Sequence, residues 1–106
     1  MPARPGRGRL LPPAAAPPTG ERVDAVARIG SVTVEQILSG ALDAPVEFDQ
    51  DHDEWVVVLR GHAVVDVDGE RLELGDGDWL LLPAHTPHRL VATRPGTTWL
   101  ALHAET

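Results

Sequence analysis

The segment AVVDVDGERLEL, residues 63 to 74, contains the clearest hairpin signal in the chain. Asp68-Gly69 separates two short segments, AVVDV and ERLEL, that are rich in apolar residues. An Asp-Gly pair readily adopts the positive φ angles that a tight two-residue turn between antiparallel strands requires. The two segments are therefore predicted to pair as neighbouring antiparallel strands.

Similar short segments lie on both sides of this hairpin, each bounded by turn residues. They are RVDAVARI (22–29), SVTVEQIL (31–38), WVVVL (55–59), DWLLLP (78–83), HRLVAT (88–93) and TTWLALHA (97–104). The run Gly75 to Asp78 marks another tight turn, and Pro83 and Pro87 bracket a loop. Only VEQILSG (34–40) fits a helical turn as well as a strand. Short strands at this spacing predict an all-β fold, an antiparallel sandwich or barrel.

Two of the predicted strands are apolar on both faces, since WVVVL and WLLLP contain no alternating polar residues. In an antiparallel sheet this pattern indicates that both faces are covered. One face would fill the barrel, and the other would pack on a second sheet or a second chain. We therefore expect a homodimer.

The first twenty residues differ sharply in composition from the rest. They contain six of the ten prolines and no acidic residue. Proline removes backbone donors, and the apolar residues here are few and small, so residues 1–20 are predicted to form a disordered arm. No apolar run reaches signal-peptide length. Arg4, Arg7 and Arg9 could bind an acidic surface, although a solvated tail is the simpler interpretation. The barrel domain is predicted over residues 21–106.

The predicted domain is strongly acidic. Residues 21–106 contain sixteen acidic residues against six arginines and no lysine, a formal net charge of −10. Such a surface repels phosphate backbones, so nucleic acid is not an expected partner. The chain has no cysteine, which excludes disulfides and thiolate chemistry. No apolar run is long enough to cross a membrane, so we expect no membrane partner and a cytoplasmic location.

A polar cluster, DQDHDE (49–54), leads directly into the apolar strand WVVVL. Gln50, His52 and Glu54 share one face if the strand is regular there, since alternate residues point the same way. His85 and His88 lie at the start of a later strand. Imidazole nitrogen and carboxylate oxygen are normal ligands of zinc, iron, nickel and manganese. These five residues are therefore the predicted ligands of a divalent metal ion.

From about residue 32 to about residue 103 the chain resembles a small single-domain cupin of the type-2 group, a jelly-roll or double-stranded β-helix barrel. The first motif of that family ends in glutamate, six residues and glycine, which Glu54 and Gly61 match. The second runs from glycine through proline to histidine, which Gly77, Pro83 and His88 match. The resemblance implies a barrel with a metal site, and by position it carries over Glu54 and His88.

The chain departs from the cupin motifs at three places. The His-x-His pair expected before the glutamate is absent, because its places hold Phe48 and Gln50, or Glu47 and Asp49. His85 stands where the family prefers glycine, and Ala92 stands where it prefers asparagine. The resemblance therefore does not imply the usual set of three histidines and a glutamate.

Behind the polar cluster we expect an apolar pocket lined by five residues: Val56, Val58, Leu80, Leu82 and Leu90. An apolar pocket with a few convergent polar groups is typical of a small-molecule site. The expected ligand is small and partly apolar, with one carboxylate, carbonyl or hydroxyl group. The acidic rim disfavours a strongly anionic ligand unless a metal offsets it.

The remaining histidines and the tryptophans are interpreted as structural. His62 and His103 are expected in structural or surface positions, and Trp55, Trp79 and Trp99 in the core or a dimer contact. Trp55 should face away from the site because it alternates with Glu54.

Two functions remain open from the sequence. In one, the protein is a metal-dependent enzyme of the dioxygenase, isomerase or lyase type that the cupin resemblance implies. In the other, it is a metal-free module that binds a small ligand. The surplus histidines at 52 and 85 favour the first, and the missing His-x-His pair favours the second.

Overall fold

The computed structural model describes residues 4–105, and its regular structure is almost entirely β-strand. Within this range one short 3-10 helix, η1 (Pro13–Ala15), precedes nine strands. The strands are β1 (Glu21–Ile29), β2 (Val32–Ser39), β3 (Val46–Phe48), β4 (Asp53–Arg60), β5 (Ala63–Val67), β6 (Glu70–Leu74), β7 (Trp79–Leu82), β8 (His88–Thr93) and β9 (Thr97–Ala104).

The strands form two antiparallel sheets that pack face to face. One sheet has the order β1-β2-β9-β4-β7, and the other has the order β3-β8-β5-β6. From β3 onward each strand lies in the other sheet from the strand before it, except that β5 and β6 are neighbours in one sheet. Such crossing between two sheets is typical of a jelly roll. The predicted all-β barrel is confirmed. Among the described residues no helix has the length and hydropathy needed to cross a bilayer.

The β5–β6 hairpin forms as predicted. Val67 pairs with Glu70 across the β5–β6 turn, and the two residues between them have φ angles of 49° at Asp68 and 84° at Gly69. Positive φ at both central positions is the conformation that matches the twist of the flanking strands. The turn sequence therefore sets the register of this pair.

The segment that fitted either a helical turn or a strand is strand β2, which pairs with β1 on one side and β9 on the other. Its pairing with β9 is continuous over the whole strand, so Glu35 and Ile37 share the barrel face with Trp99, Ala101 and His103. Because side chains alternate, Gln36 points to the outside of the sheet.

The core lies between the two sheets and draws on both. Alternate positions of β4, β5 and β9 contribute two buried residues each, and β6, β7 and β8 contribute one each. They are Val56, Val58, Ala63, Val65, Leu74, Leu82, Leu90, Trp99 and Ala101.

The N-terminal arm differs from the prediction of disorder over part of its length. Met1–Ala3 lie outside the described residues, and residues 4–10 are exposed. Residues 11–20 instead lie against the barrel. The Leu11 N–H donates to Gln36 Oε1 at 2.8 Å, and Gln36 Nε2 donates to the Leu11 carbonyl at 2.9 Å. Further along, the Ala41 N–H donates to the Pro18 carbonyl at 3.1 Å.

The physical reason is that a proline-rich segment has few donors to satisfy and can be held by few hydrogen bonds. One glutamine amide supplies both the donor and the acceptor that Leu11 needs, and Gln36 is almost fully buried as a result. Composition does not reveal this partner, because Gln36 lies in β2, distant in sequence.

The outer side of the five-stranded sheet carries large exposed apolar side chains. Trp79 is 58% exposed and Leu81 is 60% exposed. The Trp55 and Trp79 rings are neighbours, with centroids 6.1 Å apart. We call Trp55, Trp79 and Leu81 the outer apolar face. Trp55 faces away from the barrel interior, as the alternation with Glu54 predicts.

Candidate functional site

A cavity of about 170 Å³ lies between the two sheets. Its walls are largely apolar, and the polar groups in them are mostly carboxylates and imidazoles. The apolar lining comes from Val23, Ile37, Phe48, Val56, Val65, Leu80, Leu82, Leu90 and Trp99. The polar lining comes from Glu21, Glu35, Gln50, Glu54, His88 and His103. An apolar chamber with convergent polar groups is the usual form of a small-molecule site.

Glu54 is the buried centre of the polar wall. Glu54 is 8% exposed, and its carboxylate lies between two imidazoles. The distance from Glu54 Oε1 to His88 Nε2 is 3.9 Å, and that from Oε2 to His103 Nε2 is 3.7 Å. Both exceed the length of a hydrogen bond. The carboxylate is therefore near two nitrogens without being bonded to either.

Strand pairing places these three groups together. Glu54 lies directly opposite His103 in the β4–β9 pair. Directly opposed residues of neighbouring strands have Cβ atoms only about 5 Å apart. His88 comes from the other sheet, where it opens β8 opposite Phe48 of β3. The site therefore spans the barrel from one sheet to the other.

His88 is fixed in orientation on two sides. Its ring stacks on Phe48 with centroids 5.2 Å apart and an interplanar angle of 12°. Its Nδ1 lies 2.9 Å from the Thr86 carbonyl oxygen. Since a carbonyl oxygen only accepts, Nδ1 carries a proton, and in the neutral ring Nε2 holds a lone pair. That lone pair faces the Glu54 carboxylate, so two acceptor atoms face each other across 3.9 Å.

His103 lies in a short chain of polar contacts. Its Nε2 is 2.9 Å from Glu35 Oε1, and its Nδ1 is 2.8 Å from His52 Nε2. His52 in turn has Nδ1 at 3.1 Å from Asp51 Oδ1 at the surface. This series of contacts runs from the cavity wall to the surface and holds the His103 ring in place.

Glu21 supplies a further carboxylate at the cavity. Its Oε2 accepts a hydrogen bond of 2.7 Å from Ser39 Oγ, and Trp99 Nε1 donates to the same Ser39 Oγ at 3.0 Å. Burial raises the pKa of the Glu21 carboxyl above its usual value; the Ser39 hydrogen bond opposes this rise, and the Glu54 carboxylate adds to it. Burial at the cavity thus makes ionisation of Glu21 less favourable.

The structure brings only some of the predicted metal ligands together. Glu54, His88 and Gln50 line the cavity. His52 reaches it through its contact with His103 and is not part of the wall. The His85 side chain is 74% exposed and lies 3.7 Å from Asp49 on the outside.

His85 is turned outward by its backbone. It has a φ angle of 62°, and its N–H donates to the Gln50 carbonyl at 2.7 Å. The left-handed conformation favours glycine, which is the residue that the resembled motif has at this position. His85 therefore adopts the left-handed conformation that glycine favours, with its imidazole exposed.

Of the predicted pocket residues, Val56, Leu80, Leu82 and Leu90 line the cavity. Val58 is fully buried in the core and is not part of the lining. Val58 lies two residues after Val56 in β4, at a point where core side chains fill the space between the sheets.

His103, expected in a structural or surface position, instead lines the cavity, and Glu21 and Glu35 were not singled out. One signal was present for His103. In TTWLALHA it alternates with Trp99 and Ala101, so all three lie on the same face of a strand. No motif or local sequence pattern indicates that Glu21 or Glu35 lines the cavity.

Among residues 4–105, no three His, Cys, Asp or Glu side chains are arranged to hold a metal ion as they stand. His103 Nε2 already contacts Glu35 Oε1 at 2.9 Å. A metal at this wall would have to displace that contact.

The comparisons with known proteins agree with this architecture. A family model described as "Cupin domain" matches residues 33–102. A Ralstonia eutropha structure described as a candidate mannose-6-phosphate isomerase is 32% identical, covers 96% of this chain and 100% of its own, and has a TM-score of 0.78. No curated protein matches the chain.

Two further solved structures, both below 25% identity, support the fold alone. KdgF from Halomonas is 24% identical over 82% of both chains, with a TM-score of 0.70. A cupin superfamily protein from Desulfitobacterium hafniense is 23% identical over 95% of this chain and 94% of its own, with a TM-score of 0.75.

Proposed function

The chain belongs to the cupin family, and from that membership we propose that its barrel binds a small, partly apolar molecule. The observation that supports this most is an apolar cavity whose wall contains the Glu54 carboxylate, at 3.9 and 3.7 Å from the nearest imidazole nitrogens. A ligand or ion in the cavity could contact this carboxylate directly, because neither imidazole lies within hydrogen-bond length of it.

The size of the cavity limits the ligand. Its volume of about 170 Å³ is close to that of engineered apolar cavities of ~150 Å³ that hold benzene. The enclosed part of the ligand is therefore comparable to one small ring or a short branched chain. A larger molecule would extend through the open side of the cavity.

Adjacent residues of β7 provide a matched test of the cavity, since Leu80 lines it and Leu81 lies on the outer apolar face. Small fragments would be screened by thermal shift against the parent, Leu80→Phe and Leu81→Phe. We expect fragments that stabilise the parent and Leu81→Phe to have no effect on Leu80→Phe. An unchanged response in Leu80→Phe would place the binding site elsewhere.

We further propose that Glu54, His88 and His103 hold a divalent ion, either iron, nickel, zinc or manganese. Imidazole nitrogen and carboxylate oxygen suit all four. His88 already offers a lone pair at Nε2, because Thr86 holds its proton at Nδ1. His103 would offer its own Nε2 if its proton moved to Nδ1, where His52 Nε2 lies at 2.8 Å. Such an ion would polarise an oxygen atom of the bound molecule, or activate water or dioxygen, as isomerase, lyase or dioxygenase chemistry would need.

A metal-free binding module is the second candidate, and one observation favours it. Phe48 stacks on His88, and in neither placement of the first cupin motif, on Phe48 and Gln50 or on Glu47 and Asp49, does this chain have its two histidines. The chain thus has fewer imidazoles at the site than the motif supplies. In this version Glu54, His88 and Gln50 hydrogen-bond the ligand directly.

Metal content separates the two candidates. It would be measured by mass spectrometry on protein purified without chelator, with His88→Ala and, as control, His62→Ala. His62 is a suitable control because it lies by Glu73 at the surface, outside the cavity lining. We expect near-stoichiometric metal in the parent and in His62→Ala, and loss in His88→Ala. If the parent contained no metal, even after incubation with each ion, the metal site would be excluded and the metal-free binding module would be supported.

We also propose that the chain forms a homodimer through the outer apolar face. Trp79 and Leu81 are each more than half exposed, and covering such side chains is favourable at roughly 25 cal/mol per Å² of apolar surface. Light scattering should show a dimer for the parent and a monomer for Leu81→Arg. A dimeric Leu81→Arg protein would exclude this face as the interface.

A further inference from the structure

We propose that the cavity selects a ligand whose polar group is a cation, such as a primary ammonium carried on a short apolar skeleton. This inference rests on the metal-free form of the proposed binding function, because a divalent ion at Glu54 would occupy the same carboxylate, and it names the chemical class of the ligand. It follows from the charges that line the cavity and from the state of Glu54.

The cavity wall holds more negative than positive groups. Three carboxylates line it, from Glu21, Glu35 and Glu54, against two imidazoles, from His88 and His103. If both imidazoles carried a second proton, one negative charge would still remain. None of the residues in this lining is arginine, and the whole chain has no lysine. The field inside the cavity therefore favours a positive guest and opposes phosphate or carboxylate.

Glu54 is the group that such a guest would meet. It is more than nine-tenths buried, faces the cavity, and has its nearest imidazole nitrogens at 3.7 and 3.9 Å. His88 cannot donate to it from the neutral ring, because the proton of His88 is directed at Thr86. His103 Nε2 is closer to Glu35, at 2.9 Å, than to Glu54. An ammonium group supplies the donors that the protein does not.

Glu21 and the aromatic lining support the same guest. Burial is the main cause of the raised pKa of the Glu21 carboxyl, and the nearby Glu54 carboxylate adds to it. A bound cation would reduce the repulsion between these two carboxylates. Trp99 and Phe48 lie in the same wall, and aromatic rings attract cations that approach their faces. The apolar remainder of the cavity accommodates the skeleton that carries the ammonium.

The test compares three probes with one carbon skeleton: isopentylamine, isopentyl alcohol and isovalerate. Binding would be measured by calorimetry at neutral pH, where the amine is an ammonium ion, on chelator-treated protein. We expect the amine to bind about tenfold more tightly than the alcohol, as a charge-assisted hydrogen bond predicts, and isovalerate to show no saturable binding.

Two variants connect the selectivity to the cavity. Glu21→Gln should reduce the preference for amine over alcohol about threefold. Glu35→Gln provides a second measurement if Glu21→Gln does not fold. Glu73→Gln, a surface carboxyl near His62, is the matched control and should change nothing.

Equal or tighter binding of the alcohol or of isovalerate would overturn the cationic class and leave the binding function intact. The same holds if none of the three binds while other fragments stabilise the protein through Leu80. If no fragment of any charge binds, this inference and the proposed function both fail.

Discussion

Replacing Glu54 by glutamine should stabilise the protein when no ligand or metal is present. The carboxylate is 8% exposed and has its nearest imidazoles at 3.7 and 3.9 Å, beyond hydrogen-bond length. At ~4 Å a full charge pair gains about 4 kcal/mol at an effective dielectric constant of 20, and only if the imidazole is protonated. The effective desolvation cost of a buried ion is also several kcal/mol. An isosteric neutral amide avoids this cost and keeps the packing.

We therefore expect Glu54→Gln to raise the free energy of unfolding by about 1–2 kcal/mol in chelator. In a domain of this size, 1 kcal/mol shifts Tm by roughly 4–8 °C. The order should reverse with a binding ion or amine, because a ligand at ~100 times its Kd adds about 2.7 kcal/mol to the parent alone. Ligand-free stability would be traded for binding, as is common at functional sites.

The assay is urea denaturation followed by tryptophan fluorescence, since Trp99 is in the core beside the cavity. Glu73→Gln is the control. Its carboxyl is mostly exposed, so its change should stay within about 0.5 kcal/mol. A loss of more than about 1 kcal/mol in chelator-treated Glu54→Gln would refute the reasoning, because it would mean that the carboxylate is satisfied within the unliganded protein.

Three further predictions concern stability. Gln36→Ala removes both hydrogen bonds to Leu11 and should cost about 1–3 kcal/mol in urea denaturation while speeding tryptic cleavage in the arm; an unchanged cleavage rate would show that the arm is not held there. Above its usual pKa of 4.5 the unfolded Glu21 carboxyl ionises before the folded one, so this group lowers stability as pH rises from 4.5 through its raised pKa; Glu21→Gln should flatten that decline in a Tm-against-pH series. Arg71, and then Arg89, hold the pKa of Asp66 at about 2, so its contribution should persist above its usual 3.8 and disappear as pH falls toward 2, which carboxyl NMR titration would follow; a midpoint near 3.8 would contradict the pairing.

Local sequence was sufficient for the fold because its signals act over short distances. The Asp68-Gly69 turn fixes the β5–β6 pair through the backbone conformation of two residues. The apolar segments around it are too short and too regularly interrupted for helices. The spacing of Glu54, Gly61, Gly77, Pro83 and His88 then narrows a β barrel to the cupin fold.

The site could be predicted only in part, because its composition depends on cross-strand register. Glu54 and His88 belong to sequence motifs and were identified. His103 enters by pairing opposite Glu54, and Glu35 comes from a third strand of the same sheet. Register over such separations is a tertiary property, and a one-residue slip would move every side chain to the other face.

The positions of His85 and of residues 11–20 depend on equally specific features that sequence patterns do not show. The His85 side chain is directed by a single positive φ angle of 62°, which spacing does not predict for histidine. Residues 11–20 are held by partners such as Gln36 and Ala41 that lie in the barrel. Composition describes a segment by itself and does not include such partners.

The most direct measurement is a crystal structure of the protein soaked with a cavity probe such as isopentylamine. We expect density for the probe between the two sheets, with its polar group within hydrogen-bond distance of Glu54 and its skeleton against Leu80, Leu82 and Leu90. An empty cavity at saturating probe, or a probe bound only on the outer apolar face, would contradict the claim that the barrel interior is the binding site.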